Sequence, residues 1–167
     1  MKFKVKDITT LSLLCTLGIV LSIVDSFIPS FVVGMKLGLA NIIILVSLYT
    51  YGFLPTLLIN ILRVFIASLL RGTFLSMGFM MSLTGALFSL LIMALLKNIF
   101  ENLHICTISV VGSLFHSLAQ IIVGSLYMMT TAFFYYLPIL SLTSIITGIF
   151  IGLAAKQILK LNIIKKE

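Results

Sequence analysis

Long apolar stretches alternate along this chain with short polar or proline-bearing breaks. The pattern predicts helices over about 8–28, 37–53, 55–70, 74–96, 106–129 and 137–159. Each approaches the roughly 20 apolar residues that a helix needs to cross a bilayer. All three prolines fall at these boundaries. Pro29 closes the first helix, while Pro55 and Pro138 open the third and sixth, where a missing N–H is least costly. The expectation is an all-α integral membrane protein, a bundle of six transmembrane helices. The start, Lys2 to Lys6 followed by an apolar run to Val24, has the look of a secretory signal, but no small-x-small cleavage site precedes Asp25. A retained first helix is expected.

Composition supports that class. Of 167 residues, 61% are hydrophobic and 9% charged, with a mean hydropathy of +1.30, against roughly 25% charged in a soluble domain. No linker divides the chain, so residues 1–167 read as one transmembrane domain. The net charge of +7 does not point to nucleic acid. Lys2, Lys4, Lys6, Lys97, Lys156, Lys160, Lys165 and Lys166 all fall on one side of a six-span topology, and only Lys36 and Arg71 fall on the other. The lysine excess predicts cytoplasmic N- and C-termini in the cell membrane. Cys15 and Cys106 are expected to be reduced structural thiols.

Against this apolar background Asp25, Lys36, Asn41, Asn60, Arg63, Arg71, His116 and Gln120 stand out. Ionisable groups in hydrocarbon are costly and mark functional sites by default. At about 1.5 Å rise per residue, Asn41 lies about 6 Å from the outer surface, and Arg63 and Gln120 about 10–12 Å. His116 lies near the midplane, with Asp25, Lys36 and Arg71 at the outer rim. Ser109, Gly112, Ser113, His116, Gln120 and Gly124 form one stripe on the fifth helix; Asn60, Arg63, Ala67 and Arg71 form another on the third. Lys36, Asn41, Asn60, Arg63, His116 and Gln120 are therefore the candidate substrate-binding residues of an outward-facing cavity. The competing structural reading makes Arg63 an ion-pair partner of Asp25 and His116 an interhelical hydrogen-bonder. Further small-residue faces, Gly18/Ser22/Ser26, Gly78/Ser82/Ala86/Ser89 and Ser144/Gly148/Gly152, predict close helix packing, with partner docking as the alternative.

No P-loop, GxGxxG, HExxH or cysteine cluster is present, so no local rule for ATP, dinucleotide or structural-metal binding is met. The four acids, Asp7, Asp25, Glu101 and Glu167, offer no carboxylate pair for magnesium-diphosphate chemistry. No enzymatic activity, cofactor or metal is expected.

The segment Gly34-Met35-Lys36-Leu37-Gly38-Leu39-Ala40-Asn41, with Leu62-Arg63, the turn Gly72-Thr73-Phe74-Leu75-Ser76, and Gly112, His116 and Gln120, resembles the Gx transporter family, which also carries the older label heptaprenyl diphosphate synthase component I. The resemblance spans about residues 8–155. His116-Ser117 stands where family members usually have His-Asn. The family is in turn similar to the substrate-binding S components of energy-coupling-factor (ECF) vitamin transporters. That likeness implies an ECF S-component-like fold and residues 29–36 as a lid. It also implies a first-helix face docking onto a coupling subunit, with two separate ATPases supplying energy. The Ala-xxx-Ala face common in such proteins is replaced here by Gly18-xxx-Ser22. The function expected is capture of a small polar or anionic organic nutrient or cofactor precursor. The older label implies an alternative, a membrane accessory subunit of a soluble prenyl diphosphate synthase.

Overall fold

The computed structural model describes residues 5–27, 38–100 and 102–161. Lys36, Pro29 and the expected 29–36 lid lie outside the described residues. Six α-helices occur among the described residues: α1 (Val5–Phe27), α2 (Ala40–Tyr51), α3 (Phe53–Leu70), α4 (Met77–Ile99), α5 (Ile105–Met128) and α6 (Leu137–Lys160). A 3-10 turn over Thr131–Tyr136 leads into α6, and there is no strand among the described residues. The all-helical reading holds, with helix ends within about three residues of those expected.

Five helices have the length and apolar character of a membrane span. The second differs from expectation. α2 has 12 residues and rises only about 18 Å, short of a hydrocarbon core about 30 Å thick. Gly52, at φ 84°, ends it, because that left-handed backbone cannot continue a helix and suits glycine. The chain then re-enters helix at Phe53, so Pro55 sits in the first turn of α3, not at its opening position. α2 is buried on nearly every side, from Ala40 and Asn41 through Ile43–Leu48 to Tyr51. An apolar helix of this kind belongs inside a bundle. It packs against α1, α3 and α6, while α3, α4, α5 and α6 pack in sequence around it.

The main core gathers Leu14 of α1, Ile44, Leu45 and Leu48 of α2, Ile59 of α3, Leu90 and Met93 of α4, Ile108 of α5 and Ile151 of α6. These residues lie toward the end of the bundle where α1 begins and α6 stops. At that end Lys97 donates from Nζ to the Leu48 carbonyl at 2.8 Å and stands over the Tyr49 ring, satisfying a terminal carbonyl of α2. At the opposite end Arg71 Nε donates to the Ala67 carbonyl, closing α3, and the Ser76 hydroxyl accepts from the Phe79 N–H to start α4. Leu13, Leu17, Val20 and Val24 are exposed along one stripe of α1, as are Leu54, Leu58 and Leu62 of α3. This apolar outer surface is suited to lipid.

Small residues set the spacing of α5 and α6. A Cβ added at Gly148 would lie 2.7 Å from Val110 Cα, and one at Gly152 would lie 2.6 Å from Cys106 Cα. Both contacts are to backbone, which cannot swing aside, so this face packs helices together as its spacing predicts. The Gly18/Ser22 face also points inward: Gly18 is buried, with Arg63 Cδ 3.6 Å from its Cβ position. At Gly18 this face therefore packs inside the bundle. We predict that Gly152→Ala destabilises the protein by about 1–3 kcal/mol through overpacking, whereas Gly78→Ala, whose added methyl meets only Ser76 Oγ at 3.7 Å, is neutral within about 0.5 kcal/mol. Thermal unfolding in detergent measures both.

Candidate functional site

Asn60 and Arg63 are three residues apart on α3 and so share a face. Both are buried, at 1% and 6% exposure. A guanidinium removed from water must have partners, because an unpaired buried charge is costly. Arg63 finds them on three helices. Its Nε donates to Asn60 Oδ1 at 2.9 Å, its Nη1 to Ser22 Oγ of α1 at 3.3 Å, and its Nη2 to Asn41 Oδ1 of α2 at 3.0 Å. Asn60 uses its other end to donate from Nδ2 to the Ala86 carbonyl of α4 at 2.8 Å. One arginine and one asparagine thus tie four helices together at one level.

The three acceptors on Arg63 are neutral. A guanidinium carries five N–H donors, and three are used in these bonds, which leaves one on each Nη without a hydrogen bond among the described residues. Asp25 is near enough to act electrostatically on Arg63. Its Oδ2 accepts from the Gly38 N–H at 2.9 Å, joining the end of α1 to the approach to α2. Asp25 is 6% exposed, buried where the depth argument placed it on the rim.

Gln120 is buried and His116 half-buried on α5. Both approach α4 at Gly85, the residue before Ala86. A Cβ at Gly85 would lie 3.0 Å from Gln120 Cγ and 3.1 Å from His116 Cε1 and Nε2. The missing side chain is what admits the two polar groups, and it brings them beside the carbonyl that holds Asn60. Of the six candidates, Asn41, Asn60 and Arg63 therefore form one hydrogen-bonded group, His116 and Gln120 form a pair adjoining it through Gly85 and Ala86, and Lys36 lies outside the described residues. The rest of the α5 stripe is packing: a Cβ at Gly112 would lie 2.5 Å from Met93 Cγ, and one at Gly124 would lie 3.2 Å from Phe133. Sequence reasoning took Ser22 as a packing or partner-docking residue, not as a member of the site, and did not single out Gly85. The signal for Ser22 was its place on the inward small-residue stripe of α1; for Gly85 there was none, since its role depends on which helix it faces.

On the opposite side of α1 and α3 runs an apolar groove of about 620 Å³ lined by Leu11, Cys15 and Ile19 of α1 and Leu58, Leu62 and Ile66 of α3, among others. Ser12 and Thr16 in its wall donate to their own helix at Ile8 and Ser12 carbonyls, so the surface offers no free donor from them.

A family model described as heptaprenyl diphosphate synthase component I matches residues 14–158. The chain belongs to this family. The match takes in every residue of the polar group, from Ser22 to Gln120. Neither a curated protein nor a solved structure matches the chain, so the family model is the point of comparison for these residues.

The geometry makes Asn60 the joint between Arg63 and α4. Asn60→Leu keeps the branched shape but removes the acceptor for Arg63 Nε and the donor to the Ala86 carbonyl, and it should destabilise the protein by about 1–3 kcal/mol. Ser26→Ala, at an exposed hydroxyl bonded only to its own helix, should change stability by less than about 0.5 kcal/mol. Parallel thermal unfolding of the two variants checks this.

Proposed function

We propose that this protein is the membrane-embedded binding subunit of an uptake system, taking a small polar or anionic organic molecule, a nutrient or cofactor precursor, from outside the cell. The observation that carries the reading is the buried Arg63 guanidinium, hydrogen-bonded to neutral acceptors with Asp25 nearby, and with one N–H on each Nη not hydrogen-bonded among the described residues. Two such donors suit a carboxylate or phosphate, which accepts in bidentate fashion. Asn41, His116 and Gln120 would set the orientation of the bound molecule, and Lys36 would add charge at the mouth.

In this reading the protein performs no chemistry of its own, and separate subunits, a coupling protein with two ATPases of the ECF type, supply the energy. The six-helix, S-component-like fold is part of the same proposal, with α2 as a short central helix inside the ring. The basic residues Lys97, Lys156 and Lys160 at the end where α6 stops, against Arg71 at the other, support cytoplasmic termini in the cell membrane. The polar group then lies in the outward half and the apolar core seals the inward half.

A second reading follows from the family description: an accessory membrane subunit for a prenyl diphosphate synthase. The α1–α3 groove favours it to the extent that a hydrocarbon chain fits an apolar channel open to lipid.

Purification in mild detergent followed by mass spectrometry separates the two. A small polar molecule released on denaturation, or co-purifying ATPases with a membrane coupling subunit, is the outcome expected; a co-purifying soluble synthase with no such molecule would overturn the transport reading. Within it, His116→Ala and Gln120→Ala should each weaken binding about tenfold, equivalent to about 1.4 kcal/mol, and act non-additively through the shared ligand. Gly85→Ala, which pushes on both side chains, should weaken binding while leaving the protein folded. Unchanged affinity in all three variants would remove α5 from the site.

A further inference from the structure

The polar group holds a buried negative charge as well as a buried positive one, and a molecule bound there must meet both. Ser22 and Asp25 are three residues apart on α1, so their side chains share a face about one helical turn, or about 5 Å, apart. Gly38 and Asn41 are likewise joined at the start of α2, where the Asn41 N–H donates to the Gly38 carbonyl at 2.8 Å. Arg63 binds one member of each pair, Ser22 Oγ through Nη1 at 3.3 Å and Asn41 Oδ1 through Nη2 at 3.0 Å. Asp25 reaches across the same junction, its Oδ2 accepting from the Gly38 N–H at 2.9 Å. The guanidinium and the carboxylate are therefore held by the same two segments, a turn apart. Asp25 is not among the acceptors hydrogen-bonded to Arg63.

Charge then narrows the ligand. Among the described residues the buried charged side chains are Asp7, Asp25 and Arg63, and Asp7 lies at the other end of α1, in its first turn. The charges of Asp25 and Arg63 sum to zero. A simple anion on Arg63 would add a second negative charge close to Asp25 and away from water, where like charges repel strongly. A phosphate monoester, at about −1.5 to −2 near neutral pH, would add more still. A molecule with one cation beside one carboxylate leaves the sum unchanged. The carboxylate would accept from the two Nη donors. An ammonium would donate to Asp25, since a carboxylate offers about four lone-pair sites, more than the Gly38 N–H takes. With the two anchors about one turn apart, the two ligand charges must be close together, as they are in an amino acid.

We infer that the molecule bound at Arg63 is a small zwitterion of the amino-acid type, with its carboxylate on the Arg63 Nη donors and its ammonium on Asp25. The inference rests on the transport reading and narrows its substrate class.

Capillary electrophoresis of the small molecule released from the denatured protein tests the class. A zwitterion of this type migrates with a neutral marker at pH 7 and as a cation at pH 2, where its carboxylate is protonated. Migration as an anion at pH 7 would overturn the inference and leave the transport reading standing, whereas the absence of any released molecule would count against both. Titration of the released molecule and of its N-acetylated derivative into ligand-stripped protein tests the residue. Asp25→Asn removes the charge but keeps an oxygen that can accept from the Gly38 N–H, so the junction of α1 with α2 is retained. The wild type is expected to bind the acetylated form about tenfold more weakly than the parent. Asp25→Asn should bind the parent about tenfold more weakly than the wild type does, and it should bind the two forms about equally, because acetylation and the substitution remove the same interaction. A role for Asp25 in structure alone would weaken both forms by the same factor and preserve the discrimination between them. That result would overturn the inference, as would equal binding of the two forms by the wild type.

Discussion

The structure depends on how a permanent positive charge is kept inside an apolar bundle. Arg63 cannot shed its proton in a protein, and a charge withdrawn from water requires partners. Those partners determine where the helices stand. Ser22 brings in α1 and Asn41 the start of α2. Asn60 binds the arginine on one side and reaches the Ala86 carbonyl of α4 on the other. Gly18 has no side chain where the arginine stem passes, so the small-residue face of α1 turns inward. At Gly18 that face is taken up by packing against the arginine.

The same constraint divides the bundle lengthwise. Polar groups gather toward the end where α1 stops and α2 begins, and the apolar core of Leu14, Leu45, Leu48, Leu90 and Ile108 fills the other end. α2 serves both parts, with Asn41 at its start in the polar group and Leu48 and Tyr51 in or beside the core. Being surrounded by protein, it need not be long enough to span a bilayer, because irregular or short backbone elements at membrane depth are tolerated where protein covers them. Gly52 ends it, and Lys97 occupies the Leu48 carbonyl so exposed.

Much of this was legible in the sequence because the relevant energies are local. Transfer of apolar side chains from water identifies the helices, and proline chemistry marks the first turns of α3 and α6. Helical spacing put Asn60 and Arg63 on one face, and His116 and Gln120 on another. The failures concern partners and backbone angles. Hydropathy runs unbroken through 37–53, so the end of α2 became visible only with the positive φ of Gly52. Counting residues put Asp25 near the end of α1, but it did not reveal the bond to the Gly38 N–H or the burial that goes with it. Gly85 carries no chemistry of its own, and its role arises only because α5 presents His116 and Gln120 to it.

The central claim is that the two remaining N–H donors of Arg63 are held for a ligand. An experimental structure of the protein purified with its bound small molecule tests this most directly. The account predicts a carboxylate or phosphate accepting from both Nη atoms of Arg63, with Asn41, His116 or Gln120 contacting the same molecule. A structure in which both donors close on the Asp25 carboxylate, with the bound molecule held elsewhere, would contradict it.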